Sequence, residues 1–212
     1  MRKATLIVLG IVTLTFLASS YFYPQVPDQM VSHWGFRGEP DGYMSRGWGL
    51  FLIPGMLAFF ALLFVKIPGI DPLRKNIEKF RPYYDNFIII LFLFMLAVQA
   101  LMILWNIGVQ ISFALVLPPL MALMFYYVGV LCSHAEKNWF IGIRTPWTMS
   151  SETVWDKTNK LGGKLFKISA VIILFSMVLP DLMALFILVP VMFTGVYTVW
   201  YSYSEYQKEQ KS

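Results

Sequence analysis

The chain has 212 residues, 58% of them hydrophobic and 14% charged, with a formal net charge of +5 and a mean hydropathy of +0.62. Soluble domains carry roughly 25% charged residues, so this composition points to an integral membrane protein. The single cysteine, Cys132, excludes an intrachain disulfide and a cysteine-rich metal cluster.

Six apolar segments, 4–23, 48–65, 86–105, 111–133, 165–179 and 182–203, are long enough or nearly so to cross the roughly 30 Å hydrocarbon layer as helices. The first follows Arg2 and Lys3 and ends near Ala18-Ser19-Ser20, a mediocre cleavage site. Its apolar run is longer than the roughly 7–15 residues of a secretory signal core, so it reads as a retained anchor. The loop 24–47 alternates Met30, Ser32 and Trp34 with Val31 and His33, then carries the turn formers Gly35, Gly38 and Pro40-Asp41-Gly42. A short strand and turn, or a hairpin, is expected there. It reads either as a small ordered platform, with Trp34, Phe36 and Tyr43 as contacts for a peptide or lipid headgroup, or as a lid packing its aromatics on the helix ends. His33, Glu39 and Asp41 lack the fixed spacing of a metal site, and no metal or cofactor is expected.

Prolines at 54, 118, 119 and 190 fall within spans and predict kinks or locally unwound turns. A tight turn over 106–110 joins the third and fourth spans into a hairpin, and Pro180-Asp181 does the same for the fifth and sixth. The loop between spans four and five is the richest. After His134-Ala135-Glu136-Lys137 it reads Asn138-Trp139-Phe140-Ile141-Gly142-Ile143-Arg144-Thr145-Pro146-Trp147-Thr148. Thr145-Pro146 forces a stiff, extended approach. Ser150 is a natural N-cap with Glu152 in the first turn, so a short amphipathic helix to Leu161 is expected, closed by Gly162. Its place is the membrane surface, with Trp139 and Trp155 at headgroup level and its lysines toward anionic lipid. Arg144 suits a carboxylate, a phosphate or a helix C-terminus. The fifth span is short and borrows a turn from Gly163 and Lys164, with Lys164 and Lys167 snorkelling to the headgroups. Tyr21, Phe22, Tyr23, Trp48, Trp105, Trp200, Tyr201 and Tyr203 gather at span ends as an interfacial belt.

Of the 17 lysines and arginines, fifteen fall in the N-terminus, second loop, fourth loop and C-terminal tail, and two, Arg37 and Arg46, in the first loop. The positive-inside rule then places both termini and the loop 134–163 in the cytoplasm. This pattern also accounts for the net charge, so no direct nucleic-acid binding is expected. The middles of the spans carry no ionisable residue, which argues against a proton-coupled pump and an intramembrane protease. No Walker loop, dinucleotide fingerprint or His-Glu-x-x-His occurs. His134, Arg144, Glu136 and Glu152 offer no nucleophile or metal set of credible spacing, so the chain is not read as an enzyme.

The string 138–148, continued by Glu152-Thr153-Val154-Trp155 and Asn159, closely resembles the hallmark of the SdpI family of bacterial and some archaeal membrane proteins. The outer loop, with Pro27, His33-Trp34, Gly38, Pro40-Asp41-Gly42 and Tyr43, looks like the uncharacterised domain common at the N-terminus of that family. The resemblance implies an all-α integral membrane protein with six transmembrane helices that protects a cell from a secreted, membrane-active toxin peptide. It also implies a signalling receptor that holds a transcriptional repressor at the membrane. Carried over by position, Asn138, Gly142, Arg144, Thr145, Pro146, Trp147, Glu152, Trp155 and Asn159 form a cytoplasmic partner motif. The expected division is an N-terminal membrane domain, 1–65, holding outer loop 24–47, and a four-helix region, 66–212, holding motif loop 134–163. A peptide or lipid transporter or flippase is the alternative, allowed by the prolines and interfacial tryptophans.

Overall fold

A computed structural model describes residues 2–35 and 38–211. Phe36, expected as an outer-loop contact, and Arg37, counted among the outer-loop charges, lie outside the described residues. The elements are α1 (Lys3–Phe22), β1 (Gln29–Trp34), β2 (Pro40–Ser45), α2 (Arg46–Ile70), α3 (Arg74–Lys79), α4 (Arg81–Asn106), α5 (Phe113–His134), α6 (Pro146–Ser150), α7 (Glu152–Leu174) and α8 (Met183–Glu209). Five helices, α1, α2, α4, α5 and α8, are long and apolar enough to cross a membrane. Most of their apolar surface faces outward rather than into the protein. The chain is therefore an all-α, multi-pass membrane protein that carries one small β-hairpin.

The sixth long helix, α7, corrects an expectation. The short surface helix ending at Gly162 and the separate span after it are one continuous helix. Its N-cap is Ser151, not Ser150; the Ser151 hydroxyl accepts from the Val154 N–H at 3.2 Å. Gly162 and Gly163 do not end the helix because close packing requires them. A Cβ on Gly163 would lie 2.1 Å from Ser133 Oγ and 2.6 Å from the Gly129 carbonyl oxygen of α5. A Cβ on Gly162 would lie 2.1 Å from Ile143 Cδ1. Small residues let two backbones approach at a depth where van der Waals contact holds helices together. α7 thus starts among charges and runs without a break into its apolar half, which a 3-10 turn, Phe175–Met177, extends.

Kinks or locally unwound turns were expected at Pro54, Pro118, Pro119 and Pro190, and the helices continue through these prolines without an unwound turn. α2 also stays helical across Pro68. A proline removes the N–H that would bond four residues back. For Pro54 the freed acceptor is the Leu50 carbonyl. It receives the Ser19 hydroxyl of α1 at 2.7 Å and the Gln99 amide of α4 at 3.0 Å. For Pro68 the freed acceptor is the Phe64 carbonyl, which receives the Tyr84 hydroxyl of α4 at 2.8 Å. In hydrocarbon no water can satisfy such a carbonyl, so neighbouring helices do.

α1, α2 and α4 pack together, α5, α7 and α8 pack together, and α4 meets α5. One core runs from Val8, Leu57 and Phe92 to Leu131, Ile141 and Trp155, so it links the two groups. A second, Val26, Met30, Leu50, Met102 and Ile103, lies under the hairpin. The 22 residues of α5 rise about 33 Å, from the hairpin at Phe113 to His134. The N-terminus, α3, the loop before α6 and the end of α8 gather at one end of the bundle. The hairpin and the α4–α5 turn lie at the other.

Candidate functional site

Asn138 organises the loop after α5. It is fully buried, and its amide donates to the carbonyls of Glu136 at 2.8 Å and Ile141 at 2.9 Å. Its oxygen accepts from the N–H groups of Phe140 at 2.9 Å and Ile141 at 2.6 Å. Asparagine suits this task because its short amide imitates backbone on both sides. The chain then turns at Gly142, where φ is +105° and a Cβ would lie 2.7 Å from Asn159 Oδ1. Asn159, buried on α7, accepts from the Ile143 N–H at 2.8 Å and donates to the Trp155 carbonyl at 3.1 Å. Trp155 is 1% exposed, and its indole N–H reaches the Ala135 carbonyl at 2.7 Å.

Thr145 is extended, as the following proline demands, and caps α6. Thr145 and Thr148 form a reciprocal capping box: the Thr148 N–H reaches Thr145 Oγ1 at 3.1 Å, and the Thr145 N–H reaches Thr148 Oγ1 at 2.8 Å. Thr145 also donates to the Ser202 hydroxyl of α8 at 2.9 Å, and Trp147 leans on Tyr203 at 5.1 Å between ring centroids. The loop is therefore a shelf clamped to α7 and α8. α6 itself was not visible in the sequence.

The motif residues divide by exposure. Asn138, Thr145, Trp155 and Asn159 are buried and hold the shelf; Gly142 and Trp147 are half-buried. Arg144, Pro146 and Glu152 are exposed, as are Trp139, at 53%, and Phe140. Arg144 donates to the Trp139 carbonyl, so the exposed guanidinium braces its own loop. Beside the shelf, a charged cleft of about 460 Å³ includes Lys79, Glu136, Lys137, Glu152 and Asp156 in its walls. Lys157 bonds Glu205 at 2.7 Å, and that hydrogen bond raises the lysine pKa above its ordinary value.

Asp71 was missed. It is 2% exposed, and its carboxylate accepts from the Leu73 N–H at 2.6 Å and the Trp139 N–H at 2.9 Å. It ties the α2–α3 corner to the shelf, and Asn76 adds a bond to the Lys137 carbonyl at 2.8 Å. The available signal was an acid in the second loop ahead of its cluster of basic residues, Arg74, Lys75, Lys79 and Arg81.

At the other end, β1 and β2 pair antiparallel, with Val31 opposite Tyr43 and His33 opposite Gly42. Asn106, at the end of α4, accepts from the Val31 N–H at 2.8 Å and donates to the Val31 carbonyl at 2.9 Å. Trp34 stacks on Phe113 at 3.8 Å and meets Trp105 edge-on at 5.7 Å. It packs on helix ends, as the lid reading expected. Tyr43 is 63% exposed. His33 Nδ1 lies 2.5 Å from Asp41 Oδ1. Gly38 turns with φ +77°, Pro27 is exposed and Pro40 half-buried. Among the described residues no three of His, Cys, Asp and Glu converge as a metal cage.

Residues 134–202, which hold the shelf with α7 and much of α8, match the SdpI/YfhL protein family. Residues 10–58, which hold the hairpin, match a domain of unknown function, DUF1648. The chain is 27% identical over 207 residues, 97% of its length and 97% of the relative's, to the immunity protein SdpI of Bacillus subtilis (strain 168). No solved structure matches the chain. The shelf and the hairpin are matched separately and one relative aligns from end to end, so the chain is similar to the SdpI family in both regions.

Proposed function

We propose that this chain is a non-enzymatic, six-span immunity protein that protects its cell from a secreted, membrane-active peptide. The observation that carries the reading is the nearly full-length identity to a relative named as an immunity protein. In this reading α7 supplies the sixth span, entering from its charged start. Both termini and the shelf face the cytoplasm, because fifteen of the 17 basic residues gather at that end. The hairpin faces outside and meets the peptide first, with Tyr43 as its exposed aromatic and Trp34 as the anchor beneath. On the inner side, Trp139, Phe140, Arg144 and Glu152 offer a surface on which a transcriptional repressor docks. The buried motif residues shape that surface without touching the partner.

The test is survival of a sensitive bacterium challenged with the toxin peptide of the matched relative. Wild type is compared with Tyr43→Ala, Trp34→Ala and Arg144→Ala at equal membrane expression. Wild type is expected to protect. Loss of protection in the outer variants alone assigns peptide contact to the hairpin. Absence of protection by wild type, with the relative protecting in parallel, overturns the immunity reading.

A further inference from the structure

The basic end holds a second feature that the shelf does not use. Between the start of α1 and the end of α2, walled by α3, lies a cleft of about 580 Å³. Arg2, Arg74, Lys75 and Arg81 line it against one carboxylate, Glu78. Arg81 is already held by Asp85, with Nε and Oδ1 2.7 Å apart. Arg2, Arg74 and Lys75 are exposed and belong to none of the ion pairs among the described residues. Three cations are thus gathered around an open cleft without counter-charge of their own.

The cleft does not stop at the surface. Thr5 and Val65 line it and also line a groove of about 390 Å³ that descends between α1 and α2. The groove walls include Val8, Leu9, Ala58 and Leu62. Leu9 and Leu62 are exposed on helices that cross the membrane, so the groove opens to hydrocarbon. From Thr5 to Val12 it follows roughly 10 Å of helix rise, a depth that belongs to acyl chains rather than headgroups.

We propose that this paired cleft and groove binds one anionic phospholipid from the leaflet at the basic end. The phosphate sits among Arg2, Arg74 and Lys75, and one acyl chain lies in the α1–α2 groove. Basic pockets between transmembrane helices suit acidic headgroups, and guanidinium groups match phosphate geometry. Free phosphate or an acidic peptide leaves the apolar groove empty. Glu78 disfavours a bare multiply charged anion and accepts a hydrogen bond from a glycerol headgroup hydroxyl. The bound lipid staples α1 to α2 where Pro68 has removed a helical hydrogen bond. The inference does not depend on the immunity reading.

The test uses the full chain in detergent, with thermal unfolding and native mass spectrometry. The probes are dioleoyl phosphatidylglycerol, dioleoyl phosphatidylcholine and inorganic phosphate. One phosphatidylglycerol is expected to bind and raise the unfolding midpoint, with no comparable effect from the other two. Arg74→Gln with Lys75→Gln is expected to weaken phosphatidylglycerol roughly tenfold or more. Lys160→Gln with Lys211→Gln, surface lysines at the same end but outside the cleft, is expected to leave it unchanged. Ala58→Phe, compared with its own lipid-free midpoint, is expected to weaken binding by filling the groove. Equal binding of the two lipids, a full effect from phosphate alone, or equal losses in the two charge variants overturns the proposal.

Discussion

Asn138, Gly142 and Asn159 act on backbone. Asn138→Ala leaves the part-buried Phe140 N–H and the buried Ile141 N–H without their acceptor, and a buried group so orphaned costs about 1–3 kcal/mol. Gly142→Ala meets a left-handed backbone and a 2.7 Å approach to Asn159 Oδ1, an expected cost of about 1–3 kcal/mol. Thermal unfolding in detergent checks both. Arg144→Ala, at an exposed site, is expected to shift stability by no more than about 0.5 kcal/mol. A loss of protection in that variant would then report a lost contact rather than a lost fold. Here the sequence was informative about resemblance and silent about role. The motif residues were recognisable together, but a string cannot say that Asn138 faces inward and Trp139 outward. That division rests on the hydrogen bonds Asn138 makes within its loop and on Asp71, which holds the Trp139 N–H from another loop.

At the level of helices, α4 holds α2 through acceptors that prolines have freed. Gln99→Leu is expected to destabilise the chain by ~1 kcal/mol, the scale of interhelical polar contacts in membranes. In a Pro54→Ala background the Leu50 carbonyl regains a helical partner, so the same change should cost less. A double-mutant cycle on unfolding midpoints measures the difference, and additive costs would contradict the staple. Hydropathy located α1, α2, α4, α5 and α8, because continuous apolar runs are one-dimensional information. The sequence reading cut α7 in two because Gly162-Gly163 reads as a helix stop in isolation. What makes those glycines helical is Gly129 and Ser133 on another helix, a proximity that sequence spacing does not carry. α3, a single short helix between two spans, has no periodic signal long enough to read.

The whole molecule separates its charges along one axis, and the orientation of that axis is open to direct measurement. Cys132 is the only cysteine and is buried, so labelling background is low. Tyr43→Cys is expected to react with a membrane-impermeant maleimide added to intact cells. Trp139→Cys, also exposed but at the basic end, is expected to react only after permeabilisation. Reaction of the second without the first inverts the proposed topology.

The Asn106 side chain takes both hydrogen bonds that a third strand would offer Val31, from a position 75 residues later in the chain. The hairpin is synthesised early, yet the edge of β1 stays open until the end of α4 has been delivered. An open edge is a template for wrong pairing, and closing a long loop to cover it is slow. The hairpin end of the bundle therefore acquires its final shape late, only once α4 has been delivered. A nascent chain halted before Asn106 carries a hairpin whose register is not yet secured on that side.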